Sequence, residues 1–137
     1  MKIRHLIVLA AAPVFLVTSC SGDGDDATQE AKDLMNEADI TDETGSDDVV
    51  VIARDNVFVD EYIEVKAGTT VTFENTGETV HNVLPVEEGA FTPIEADEFD
   101  PDDVGTVTFD EVGDVPYYCS LHGTKTKGMI GGVRVVE

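Results

Sequence analysis

From Val49 to the C-terminus, apolar and polar residues alternate in short runs cut by turn residues. A period of two marks a strand with one buried and one wet face, because successive side chains leave a pleated backbone on opposite sides. Glu61-Tyr62-Ile63-Glu64-Val65-Lys66 alternates, and Ala67-Gly68-Thr69 turns the chain. Thr70-Val71-Thr72-Phe73-Glu74 alternates again and stops at Asn75-Thr76-Gly77. Thr106-Val107-Thr108-Phe109, residues 115–119 and residues 132–136 predict three more strands. Residues 49–53 are apolar throughout, which predicts a strand covered on both sides or at one end. Residues 79–84 are predicted as the strand that carries His81, and the acidic connection after them holds Pro85, Pro93 and Pro101, each unsuited to a central strand. About seven to eight strands, with a turn roughly every ten residues, predict an all-β chain: an antiparallel Greek-key β-sandwich. The expected core is Ile63, Val65, Val71, Phe73, Val83, Val107, Phe109, Tyr117, Val133 and Val135.

Upstream of Val49 the pattern is different. Lys2 and Arg4 precede an apolar run from Leu6 to Val17, broken by Pro13 and too short to span a bilayer comfortably. The run closes on Val17-Thr18-Ser19-Cys20, which resembles a bacterial lipobox, so residues 1–19 read as a lipoprotein signal peptide and Cys20 as the acylated first residue of the mature chain. Several acyl chains on one residue give stable anchoring. The expected location is therefore a membrane, on its extracytoplasmic side. Residues 20–48 are rich in Asp, Glu, Gly, Ser and Thr and predict an acidic flexible tether. Ala31, Leu34, Met35 and Ala38 fall at helical spacing there, enough for a turn or two of helix.

Charge narrows the function classes. The chain has 29 acidic and 8 basic residues, a formal net charge of −21, or −23 once Lys2 and Arg4 leave with the signal. Such a surface repels nucleic acid and anionic headgroups and favours cationic partners.

The candidate chemistry lies in Tyr117-Tyr118-Cys119-Ser120-Leu121-His122-Gly123 and Gly128-Met129-Ile130-Gly131. A thiol, an imidazole and a thioether fall within eleven positions, and a second imidazole, His81, stands 38 positions before Cys119. Two imidazoles and a thiolate with a weak, distant thioether form the donor set of a blue-copper site. Cys119 and His122 lie three apart in a turn between strands, and a sandwich brings distant loops such as that of His81 to the same end. A coordinated thiol gives up its proton to the metal. Two cysteines make no disulfide framework, and Cys20 and Cys119 serve unrelated ends.

These segments, with Ala67-Gly68-Thr69-Thr70-Val71-Thr72-Phe73, Val80-His81-Asn82-Val83, Phe109 and Gly113, resemble the small cupredoxins of the plastocyanin, pseudoazurin and amicyanin kind over residues 50–136. The resemblance implies a cupredoxin-like copper-binding domain at 49–137 holding one type 1 ion that cycles between Cu(I) and Cu(II). His81, Cys119 and His122 would be its equatorial ligands and Met129 its axial one, with Asn82 bonding across to Ser120. The implied activity is single-electron transfer between membrane-associated redox partners by a monomer, with no substrate turned over and so no enzyme. Those partners are expected to dock near His122, where Leu84, Pro85 and Leu121 can form an apolar collar and Lys125 and Lys127 a basic spot.

Three departures stand out. The ligand loop, with six residues at 123–128, is longer than the family's usual one, so a backbone carbonyl can compete with Met129. Leu121 replaces a frequent proline, and Val115 a frequent aromatic residue. A copper-delivery protein on the same fold is the alternative reading. Zinc would leave Met129 idle, a Cys–His nucleophile would lack its orienting third residue, and haem attachment or a binuclear centre would need a second cysteine.

Overall fold

Alternation along the chain becomes the inner and outer faces of two packed sheets. The structure, a computed structural model, describes residues 23–137. Helix α1 (Asp23–Glu37) comes first. The strands are β1 (Thr41–Asp42), β2 (Val49–Arg54), β3 (Val57–Val59), β4 (Tyr62–Lys66), β5 (Thr69–Asn75), β6 (Leu84–Pro85), β7 (Val104–Phe109), β8 (Gly113–Thr124) and β9 (Lys127–Val136). One sheet has the order β1-β4-β9-β8-β6 and the other β3-β2-β5-β7.

The sandwich stands, with three corrections. The sheets are mixed rather than antiparallel, since β1 with β4, β2 with β5 and β4 with β9 run parallel. The chain changes sheet between β3 and β4 and again at Gly68 (φ +87°), so β5 returns beside β2 pointing the same way. Periodicity tells which face of a strand is buried but not which strand lies beside it. Second, residues 79–83 form no strand; the chain leaves the sheet after Asn75 and rejoins a ladder only at β6. Residues 49–53 also differ from expectation, because β2 alternates between buried and exposed positions and Val50 is 39% exposed.

All ten expected core residues are buried. Phe58, Phe73 and Tyr117 meet edge to face, with ring centroids 5.0 to 6.4 Å apart, an arrangement favoured by the aromatic quadrupole. The Tyr117 hydroxyl is buried without a hydrogen-bond partner among the described residues, and burial pushes its acidity far down. The two-residue turn between β2 and β3 is made by Asp55 (φ 50°) and Asn56 (φ 65°), residues that tolerate the left-handed region a tight hairpin needs.

The segment expected as a flexible tether, 20–48, is folded over most of its described length. Residues 1–19, expected as a signal peptide, and Cys20 lie outside the described residues. From Asp23 the chain forms α1, and Ala31 and Met35, at the spacing noted above, are buried. Met35 sits over Gly132 on the outer face of β9, where a β-carbon on that glycine would stand only 2.5 Å from the Met35 Sδ. Arg134 donates to Asp114 Oδ1 at 2.7 Å and to Asn36 Oδ1 at 2.8 Å, and Lys32 lies 3.5 Å from Glu87. β1 then adds a parallel strand beside β4. The segment is a clasp across the outer face of one sheet. Its average composition argues for coil, yet the buried Met35, worth about 1.5–3 kcal/mol, adds to the helix's own backbone bonds and to the Arg134–Asn36 bond in holding the segment down.

Met35→Ala should cost about 2 kcal/mol, the low end for such truncations because α1 can detach without unfolding the sandwich. Hydrogen exchange should show lost protection confined to α1 and β1. Equal loss across both sheets would show that the clasp is part of the main cooperative unit.

Candidate metal centre

The end of the sandwich where β8 and β9 join is built around one irregularity. Their ladder runs in register from Gly113↔Val135 to Tyr118↔Ile130, then resumes at Gly123↔Gly128. Four residues, 119–122, therefore face Met129 alone. A bulge of this kind bends the strand and re-aims its side chains. Cys119 is wholly buried, Ser120 and Leu121 are exposed, and His122 is half-buried. The ladder resumes through two glycines in close approach. A β-carbon on Gly123 would meet the Lys127 carbonyl and the Met129 nitrogen at 2.7 Å, and one on Gly128 (φ +83°) would meet the His122 carbonyl at 2.7 Å. The long loop is thus a paired hairpin with its turn at Lys125 and Thr126.

His81 reaches this end from the strandless segment. Its own N–H donates to the Phe99 carbonyl at 3.3 Å, and two residues on Val83 exchanges backbone bonds with Ile94. The imidazole is buried, with Nδ1 toward Cys119 and Nε2 3.4 Å from the Thr79 hydroxyl. Asn82, the next residue, makes two hydrogen bonds with Ser120: its Nδ2 donates to the Ser120 hydroxyl and its Oδ1 accepts from the Ser120 N–H, both at 2.9 Å. The His81 segment and the β8 bulge are therefore stitched together beside the thiol.

Three strong donors converge. His81 Nδ1 lies 3.1 Å from His122 Nδ1 and 3.8 Å from Cys119 Sγ, while Cys119 Sγ lies 3.6 Å from His122 Nδ1. A trigonal ion about 2.1 Å from each donor needs donor–donor edges of about 3.6 Å, so these residues fit a metal. Met129, fully buried across the ladder from the bulge, completes a His2Cys-plus-Met set of the blue-copper type. Burial first, then the adjacent His122 ring, hold His81 below the ordinary imidazole range, with Asp55 pulling the other way. The shift favours the neutral imidazole, the form that can offer a lone pair to a metal.

Leu121 is 51% exposed beside His122, with Leu84 and Pro85 half-buried on β6. Lys125 is half-buried in the hairpin turn and Lys127 exposed. Two polar residues around His81 were not foreseen. Asn75 and Thr79 lie in a stretch whose Asn-Thr-Gly signature announces a turn and says nothing of what the side chains hold.

The family model described as "Copper binding proteins, plastocyanin/azurin family" matches residues 45–136. Halocyanin from Natronomonas pharaonis is 43% identical over 108 residues, spanning 74% of this chain and 64% of that protein. Chloroplastic plastocyanin from Fritillaria agrestis is 38% identical over 87 residues, spanning 57% of this chain and 51% of the relative. The chain thus spans somewhat over half the length of the curated relatives it matches. Among solved structures, amicyanin from Paracoccus versutus superposes with a TM-score of 0.53 at 28% identity, over 66% of this chain and 83% of its own. Matched over most of its length and carrying the His81, Cys119, His122 and Met129 copper site, the chain belongs to the plastocyanin/azurin family of copper-binding proteins and is a small cupredoxin.

Proposed function

We propose that this protein is a type 1 (blue) copper protein that carries single electrons between membrane-associated redox partners. The observation that carries the reading is the convergence of His81 Nδ1, Cys119 Sγ and His122 Nδ1 within 4.8 Å of one another at one end of the sandwich. Copper held there would supply one reversible unit of charge, as Cu(II) or Cu(I). The residues supply the rest. His81 and Cys119 are sealed from water, while His122 keeps part of its ring at the surface and is the natural contact for a partner. Leu121, Leu84 and Pro85 give that contact an apolar surround with little to desolvate. No substrate is transformed in this reading.

Copper delivery would be favoured by a ligand loop that opens to exchange metal. The paired hairpin from Gly123 to Gly128, with no room for side chains at either glycine, supports a retained ion instead. The membrane association rests on Cys20 as an acylated residue. Since α1 begins at Asp23 and is docked, the acidic stretch from there on is not a free leash in this reading.

The copper form should show an intense visible band from the Cys119 thiolate, absent in Cys119→Ser and bleached on reduction. Tight colourless zinc binding, with copper absorbing only weakly, would overturn the carrier reading.

Met129→Leu should keep that band and raise the reduction potential, because a donor to Cu(II) is removed. An unchanged potential would show that another donor holds the axial position.

Cys20→Ala should release the protein from membranes and abolish lipid attachment by mass spectrometry, with the visible spectrum unaltered. Wild-type protein found unmodified in the soluble fraction would refute the anchor.

A further inference from the structure

His81 lies outside every strand, and among the described residues only one backbone bond of its own, at 3.3 Å to Phe99, ties it to a neighbouring segment. A buried metal ligand on such a segment needs to be held by something else. The holding group is Asn75, the last residue of β5, which is 1% exposed. Its Nδ2 donates to two carbonyls, Thr79 and Phe99, each at 2.9 Å, and its Oδ1 accepts from the Gly77 N–H at 3.0 Å. Its main chain is equally engaged, with the N–H on the Asp103 carbonyl and the carbonyl receiving the Asp102 N–H.

The partners make the case. Gly77 and Thr79 belong to the segment that ends in His81, and the Phe99 carbonyl is the same atom that receives the His81 N–H. Asn75 and His81 therefore hang from one oxygen. The segment wraps around the amide and returns the Thr79 hydroxyl to within 3.4 Å of His81 Nε2. Gly77 lies against the same ring edge, where a β-carbon would stand 3.4 Å from Nε2. The ring is thereby turned with Nε2 toward Thr79 and Nδ1 toward Cys119.

We propose that Asn75 is the positioning residue for His81, acting through the 76–81 segment and the Thr79 hydroxyl to set which imidazole nitrogen faces the metal. The proposal rests on His81 as a copper ligand. Loss of Asn75 leaves the Thr79 carbonyl and the Gly77 N–H without these partners, leaves the Phe99 carbonyl to the His81 N–H alone, and frees the ring to turn. Groups that orient a metal-bound histidine are typically worth about 10–100-fold in metal affinity.

The test uses the folded chain with Cu(I), measured by competition against a chromogenic chelator, and the apo protein, whose His81 ring nitrogens are followed by NMR. Asn75→Asp keeps the acceptor for Gly77 and loses both donated bonds. It should lower Cu(I) affinity by about tenfold and speed solvent exchange of the His81 Nε2 proton in both forms. Val65→Ala is the control for lost stability alone: Val65 is buried at the far end of the ladder, paired to Val135 opposite Gly113, and should move neither readout. Thr79 is exposed, so Thr79→Val tests the same path without threatening the fold, and Thr79→Ser should restore wild-type behaviour. Wild-type affinity and exchange in Asn75→Asp would overturn the proposal. If that variant does not fold, wild-type behaviour in Thr79→Val overturns it, and faster exchange there with rescue by Ser supports it. Failure of the wild-type chain to bind Cu(I) would instead sink the copper reading, and the apo ring measurement would still report on Asn75.

Discussion

The copper end depends on a single change of register in the β8–β9 ladder. Hydrogen bonding is fixed at Tyr118↔Ile130 and again at Gly123↔Gly128, and four residues must fit where one would pair. The backbone has to arch. The arch turns Cys119 inward, sends Ser120 sideways to Asn82, leaves Leu121 in water and brings His122 back over the thiol. Met129 has no freedom left, being the one residue facing the arch in a ladder fixed on both sides of it. The glycines are required for the same reason, because the strands re-join so closely that a side chain at Gly123 or Gly128 would strike backbone.

That constraint makes the site asymmetric. His81 is sealed and His122 is part-exposed, although their Nδ1 atoms are only 3.1 Å apart and their rings stand at 62° to one another. A donor triangle set by the scaffold has little cause to rearrange when the charge of its occupant changes, which is the property a one-electron carrier needs. Whether such geometry is imposed by the protein or natural to copper–thiolate bonding is a general debate. In this chain the protein's share is visible as the bulge, the two Asn82–Ser120 bonds and the buried wall behind His81.

The strands of the core and the ligand set were legible because each leaves a local mark. Alternation around Ile63 and Val65, or Val71 and Phe73, reports burial directly, and Cys119, His122 and Met129 crowd into one loop. Pairing was not legible, since a parallel neighbour such as β2 for β5 depends on sheet changes elsewhere in the chain. The order in α1 was hidden in a different way. Its acidic composition outweighs four apolar residues, and the space above Gly132 that receives Met35 exists only once β9 is formed. Residues 79–83 misled because β-branched Thr79, Val80 and Val83 surround the histidine as they would in a strand; Val83 is buried, yet against Ile94 in a bridge rather than in a sheet. The longer hairpin loop looked like slack. Its two glycines, which mark close backbone approach, were the sign of the opposite.

The two ends of the sandwich are held by different means. Away from the metal, the ladders of β4, β9 and β8, the aromatic trio and the α1 clasp give stability through burial and repeated backbone bonds. At the copper end the chain leaves its sheets, and side-chain amides take over from the ladder. Asn75 replaces a strand partner for the His81 segment, and Asn82 replaces one between that segment and the bulge. Each such bond contributes about 0.5–1.5 kcal/mol net, yet stability is not all that the two amides supply. Their effect is positional. An amide satisfied on both its donor and acceptor atoms tolerates one orientation, and its partners must take the matching one. By that route a loop without a ladder can hold an imidazole as firmly as a strand would, while leaving the ladder itself free to bend around the thiol.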